Sequence, residues 1–142
     1  MPTMEEPAWI TWARSKLGIK QKNNAEEIES WYQYTSLDKS LWHQIVAWCA
    51  VFVNAALFNG GKTGDRDAWA ADFLNWGQTV GDPQVGDVTV FDWSLVGQTG
   101  HHVGFYLEDV GINIKCLGGN QSHAVTIAEF PKKAVAGYRR PA

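Results

Sequence analysis

The chain has 142 residues, of which 45% are hydrophobic and 19% are charged, and its formal net charge is −3. These values are typical of a single globular domain spanning residues 1–142, with enough apolar surface to form a core. Adjacent basic residues occur only at Lys132-Lys133 and Arg139-Arg140. The chain therefore lacks the basic stripe of a nucleic-acid-binding protein.

The two cysteines, Cys49 and Cys116, are too few for the disulfide framework of a small secreted domain, and we expect free thiols. The N-terminus has neither the basic start nor the apolar run of a signal peptide. The longest apolar stretch, 46–58, is shorter than the about 20 residues that cross a bilayer. We therefore expect synthesis in the cytoplasm and no stable association with a membrane.

Helical patterns come first in the chain and strand patterns second. Helices are predicted over 7–17, 24–35, 47–59 and 67–76, and the third is apolar nearly all round, which indicates burial. Alternating apolar residues after Pro83 predict strands that contain Val88, His102–Leu107, 112–116, Val125 and 134–138. This order predicts an α+β fold, with N-terminal helices packed on a small antiparallel β-sheet.

Cys49 lies at the start of the third predicted helix and is a candidate nucleophile. A thiol in a first helical turn lies near unpaired backbone N–H groups and the positive end of the helix dipole. Both favour the thiolate, so we expect the pKa of Cys49 to be lowered. A small buried core residue is the alternative role for such a cysteine.

His102 is the candidate base. Along a strand it shares one face with Gly104, while its neighbour His101 points to the other face. The missing side chain at Gly104 is expected to let the Cys49 helix approach this strand. An imidazole there is able to take the thiol proton and return it to a leaving amine.

Asn120 follows two glycines at the end of the next strand and is a candidate third residue. A base of this kind needs a polar group that fixes its tautomer, and an amide oxygen serves that purpose. Antiparallel pairing would bring Asn120 beside the His102 strand. The alternative is that Asn120 is an ordinary turn residue.

Several segments in chain order together resemble the CHAP and NlpC-type cysteine peptidases, and most of all a small single-domain branch found in phage and bacterial genomes. The segments are Ala47-Trp48-Cys49-Ala50-Val51-Phe52-Val53-Asn54, Gly86-Asp87-Val88, His102-Val103-Gly104-Phe105-Tyr106, Leu117-Gly118-Gly119-Asn120-Gln121 and Gly137-Tyr138-Arg139-Arg140-Pro141.

The resemblance implies a papain-like fold and hydrolysis of an amide bond in the stem peptide of bacterial peptidoglycan. Cys49 matches the nucleophile, His102 the base and Asn120 the polar orienting residue. Cys116 stands where an aliphatic residue is usual and is interpreted as a small core residue. The Cys49 backbone N–H would hold the oxyanion, with Gln44 or His43 as candidates for a second donor.

The expected partner is peptidoglycan, reached at the cell wall or periplasm after release or delivery of the protein. No cofactor or metal is expected. We expect a monomer, with an immunity or inhibitor protein as partner only if the chain is a secreted toxin.

Two other functions are compatible with the sequence. A zinc amidase would draw its ligands from His43, His101, His102, His123, Cys49 and Asp87, although their spacing matches no compact zinc motif. A non-catalytic wall-binding module would use some of the eight Trp residues for sugar stacking, although core or groove positions are expected for at least six.

Overall fold

The computed structural model describes residues 6–44 and 47–142. Three α-helices come first: α1 (Ala8–Ser15), α2 (Ala25–Trp31) and α3 (Cys49–Asn59). The strands that follow are β1 (Gln78–Val80), β2 (Val88–Asp92), β3 (His101–Val110), β4 (Asn113–Gln121), β5 (Ala124–Pro131) and β6 (Val135–Arg140). They form one antiparallel sheet in the order β1-β6-β2-β3-β4-β5. The predicted α+β class is confirmed.

Helix α3 lies at the centre of the larger core. Every residue from 49 to 57 is buried, as the apolar sequence predicts. The helix packs on β3 and β4, where Val103, Phe105 and Leu117 face it, and on α1. This packing fixes the first turn of α3, and with it Cys49, against the sheet.

The fourth predicted helix is wrong in type and length. The segment forms a short 3-10 helix, Ala70–Asn75, between Trp69 and Trp76, which both have extended backbones. Six residues are too few to offset the cost of starting an α-helix. Strand β1 was not predicted, because three residues at a sheet edge carry too little alternation to be recognised.

A second, smaller core covers the opposite face of the sheet. It contains Phe91, Tyr106, Ile114, Cys116 and Ala134. Cys116 is fully buried there, and both cysteines are free.

The role predicted for Gly104 is wrong in its detail. Gly104 shares the His102 face of β3, which is the face opposite α3, so it does not make room for the helix. A Cβ at this position would overlap Cys116 Sγ instead. The glycine therefore permits close packing of β3 on β4 in the smaller core.

Replacing Gly104 with Ala is expected to lower the free energy of unfolding by about 2 kcal/mol, because the added methyl overpacks a closed core. Adding Cys116→Ala should recover part of this loss, since it removes the sulfur that the methyl meets. Urea unfolding of both single variants and the double variant measures the coupling. Gly81→Ala is the matched control, because a Cβ at Gly81 has no neighbour within 4 Å. If the two variants lower the free energy of unfolding in a strictly additive way, the clash between a Cβ at residue 104 and Cys116 Sγ is contradicted.

The end of the chain is held against the start of β2 by an ion pair. Arg140 Nε and Nη2 donate to the two carboxylate oxygens of Asp87 at 2.8 and 2.7 Å, and Asp87 is only 2% exposed. The second oxygen also accepts from the Gln84 N–H at 2.7 Å. This contact joins the Gly86-Asp87 and Arg139-Arg140 segments in the fold.

Candidate active site

Cys49 is the first residue of α3, and Trp48 is the residue that caps the helix. The side chain is 6% exposed. The Trp48 indole packs in the core and donates to Gln21 Oε1 at 3.0 Å, which ties the helix start to the loop before α2. Cys49 therefore lies at the N-terminus of a buried helix, as predicted.

The expected lowering of the thiol pKa is not what the structure shows. Burial raises the pKa of Cys49, and this outweighs the opposing effect of the backbone N–H groups of Val103, Ala50 and Cys49 that face the sulfur. The helix start does favour the thiolate, but the loss of water is the larger effect. A raised pKa favours the neutral thiol at Cys49 near neutral pH.

His102 begins β3 together with His101 and is only 8% exposed. Its ring lies between aromatic side chains, with ring centres 5.9 Å from Phe91 and 5.4 Å from Phe130. Burial in these surroundings lowers the pKa of His102, and the hydrogen bond that His102 donates to Gln121 opposes this only in part. The imidazole is therefore neutral at physiological pH.

Gln121 fixes the tautomer of His102. Gln121 Oε1 lies 3.0 Å from His102 Nε2. The Gln121 amide nitrogen donates to Cys116 O, Thr126 O and Thr126 Oγ1, which all act as acceptors and so set the orientation of the amide. Because the amide oxygen only accepts, His102 Nε2 must carry the proton. Nδ1 is then the basic nitrogen of the neutral ring.

The ring contact predicted for Asn120 is made by Gln121 instead. In a regular strand, Asn120 would share the face of Gly118 and therefore the face of His102. Asn120 has a left-handed backbone (φ 56°), and the pairing of β4 with β5 shifts between Gly118 and Gln121. This irregularity moves the side chain of Gln121 onto the His102 face. The Asn120 oxygen Oδ1 is buried and has no hydrogen-bond partner among the described residues.

The two glycines before Asn120 each remove a specific obstacle. A Cβ at Gly118 would overlap Gln121 Oε1, the atom that contacts His102. A Cβ at Gly119 would come within 2.6 Å of Phe52 Cβ and 2.7 Å of Trp48 Cζ3. Gly118 thus leaves space for the orienting amide, and Gly119 lets β4 approach the first turn of α3.

Cys49 and His102 line one open cavity of about 360 Å³. Asn120, Gln121 and Ser122 form its polar side, and Trp93, Ala128 and Phe130 its apolar side. His101 also reaches this cavity, but it is exposed and lies 3.7 Å from Asp92. The structure therefore distinguishes the two histidines: the buried one is held by an amide and the exposed one lies beside a carboxylate.

The candidates for a second oxyanion donor do not line this cavity. His43 and Gln44 are both exposed, and Gln44 lines a different cavity, which shares Ala47 with this one.

Three of the residues considered as zinc ligands, Cys49, His101 and His102, line the same cavity, but they do not form a metal site. Among residues 6–44 and 47–142, no three His, Cys, Asp or Glu side chains come together in a way that would hold a metal ion. Within the same ranges, no helix has the length and apolar character needed to cross a membrane.

The chain has the papain-like α+β fold of the NlpC/P60 type. Among solved structures it is similar to the crystal structure of an NlpC/P60 family protein from Bacillus cereus, with a TM-score of 0.58 and 19% sequence identity. The similarity covers 98% of this chain and 41% of that protein, so the chain spans less than half of its length. No family model and no curated protein matches the sequence.

Proposed function

We propose that this protein is a cysteine hydrolase that cleaves an amide bond of the peptidoglycan stem peptide. The observation that carries the proposal is that one open cavity is lined both by a thiol at a helix N-terminus and by a histidine whose tautomer an amide fixes. The papain-like fold and the ordered segments that resemble CHAP and NlpC-type peptidases support the same chemistry.

The reaction starts from a neutral pair, because burial raises the pKa of Cys49 and lowers that of His102. As Cys49 Sγ attacks the carbonyl carbon, His102 Nδ1 takes the thiol proton. The Cys49 backbone N–H stabilises the oxyanion that forms. His102 then gives its proton to the amine nitrogen, the C–N bond breaks and a thioester remains. Water activated by His102 releases the acid and regenerates the thiol.

Activity is expected to rise with pH through an inflection below about 6.5, the ordinary pKa of histidine. Protonated His102 is unable to accept the thiol proton, and burial lowers the pKa at which it loses its own proton. Activity should then stay level until above about pH 8, since the pKa of Cys49 is raised. The pH dependence of kcat/KM measures both the lower inflection, assigned to His102, and the upper end of the level region, assigned to Cys49. A rise that begins only above about pH 8 would mean that Cys49 must ionise before substrate binds.

The resemblance to a phage and bacterial branch of this superfamily favours three biological roles. They are a phage lysis enzyme, a hydrolase carried in the virion and a secreted antibacterial toxin. Each acts on the wall after release or delivery from the cytoplasm, and the toxin alone requires an immunity or inhibitor protein. The protein is proposed to act as a monomer.

Digestion of purified peptidoglycan tests the proposed function. The protein should release soluble fragments with new amino and carboxyl groups, which mass analysis assigns to one bond. Iodoacetamide should abolish the release and a chelator should not. The reverse pattern would indicate a zinc amidase, and binding to the wall without any release would indicate a non-catalytic module.

A further inference from the structure

A second cavity adjoins the one that contains Cys49. Its volume is about 590 Å³, and Ala47, two residues before Cys49, lines both cavities. The other described residues that line it are Tyr32, Leu37, Leu41, Gln44, Ala68 and Trp69. None of these residues is charged. The two cavities therefore meet at Ala47, two residues before the start of α3; the one that contains His102 is mixed in polarity and the other is mainly apolar.

Trp69 lines this second cavity and is highly exposed. Its side chain is 69% exposed, whereas the seven other Trp residues are all buried or partly buried. Leu41 on the same cavity is 40% exposed. An indole this exposed, in a cavity that shares Ala47 with the cavity of Cys49, is suited to stack on a ligand.

The direction of the reaction decides which half of the substrate lies in each cavity. His102 protonates the leaving nitrogen, so the amine half must lie on the His102 side of Cys49. The acyl half would then lie on the side of Cys49 away from His102, in the mainly apolar cavity that Ala47 and Trp69 line.

We infer that the acyl half of the substrate is an uncharged sugar ether, the muramoyl group, and that its ring stacks on Trp69. This inference rests on the proposed function and names the bond as the amide between muramic acid and L-alanine. Cleavage after a γ-linked D-glutamate would place a free carboxylate in the acyl half, and no described residue of this cavity offers a cation to it. The muramoyl group carries no charge once its carboxyl is in the amide, and the C–H face of a pyranose matches an indole.

Three small substrates test the inference. The first is N-acetylmuramoyl-L-Ala-D-isoglutamine, the second is the same peptide acylated with lactate alone, and the third is L-Ala-γ-D-Glu-L-Lys. Wild type should cleave the first at the muramoyl amide and leave the third intact. Removing the sugar should lower kcat/KM by about 10-fold or more, as loss of an anchoring aromatic contact does.

Variants of Trp69 separate stacking from structural effects. Trp69→Ala should raise KM for the muramoyl substrate by about 10-fold or more and leave the lactoyl substrate unchanged, while Trp69→Phe should retain most of the affinity. Ile112→Ala is the matched control, because Ile112 is 85% exposed at the turn between β3 and β4 and lines neither cavity.

Two results would overturn the assignment of the bond and leave the proposed function in place. They are Cys49-dependent cleavage of the third substrate in place of the first, and an equal effect of Trp69→Ala on the muramoyl and lactoyl substrates. Failure of the proposed function has a different signature. In that case wild type hydrolyses none of the three substrates and releases nothing from whole peptidoglycan, or Cys49→Ala is as active as wild type, and the inference falls with it.

Discussion

Cys49→Ala is expected to abolish the release of peptidoglycan fragments, lowering the rate by about 10⁵-fold or more, as removal of the nucleophile does in other hydrolases. The sulfur is the only protein atom in the proposed mechanism that bonds to the substrate carbon, so neither the cavity walls nor His102 replaces it. The loss of turbidity of purified peptidoglycan, followed by mass analysis of the supernatant, measures the effect.

The fold should survive this change. Cys49 is 6% exposed and lies in the first turn of α3, where Ala is well tolerated, and the removal of one buried sulfur costs only about 1–2 kcal/mol. Circular dichroism and sedimentation with intact peptidoglycan check that the variant still folds and binds. Cys49→Ser adds a second comparison, since it keeps a hydroxyl in place of the thiol.

Cys116→Ala is the matched control for the loss of a buried cysteine. Cys116 is fully buried in the smaller core, burial raises the pKa of its thiol far above the ordinary range, and it lines neither cavity. This variant should remain active and should still be inactivated by iodoacetamide. Fragment release by Cys49→Ala at the wild-type rate would refute the thiol mechanism.

Much of this arrangement was predictable because it depends on local patterns. The all-round apolar character of 47–59 predicted a buried helix, and its first residue placed Cys49 at a helix N-terminus. Strand alternation placed His101 and His102 on opposite faces of the strand. The structure agrees, since His101 is exposed and His102 is buried.

The sign of the Cys49 pKa shift was not predictable from the sequence. The helix start is a local feature, but the burial of the thiol results from β3 and α3 packing together, more than fifty positions apart in the chain. Burial produced the larger effect.

The choice between Asn120 and Gln121 depended on a non-local feature as well. Regular alternation selects Asn120, and only the shifted pairing of β4 with β5 turns Gln121 towards His102. The available signal was the pair Gly118-Gly119 before an asparagine, since asparagine tolerates the left-handed backbone that such an irregularity uses.

Gln121→Ala is expected to lower kcat by about 10²- to 10⁴-fold, in the range found when the residue that orients a catalytic histidine is lost. Without the amide oxygen, nothing in the described site holds the proton on His102 Nε2, and the ring is free to present a protonated Nδ1 to the thiol. Gln121→Glu makes the sharper test. A carboxylate beside Nε2 favours the charged imidazole, so the inflection in kcat/KM should move to higher pH. A purely structural role would lower stability without moving that inflection.

Asn120→Gly is the matched control for this experiment. Glycine adopts the left-handed backbone of residue 120 at no steric cost, and the side chain that is removed has an oxygen without a partner. The variant should therefore keep the pH profile of wild type and lose much less activity than Gln121→Ala. If Asn120→Gly instead shifts the inflection and Gln121→Glu does not, the amide that orients His102 during catalysis is Asn120, and the active protein must differ from this structure at the end of β4.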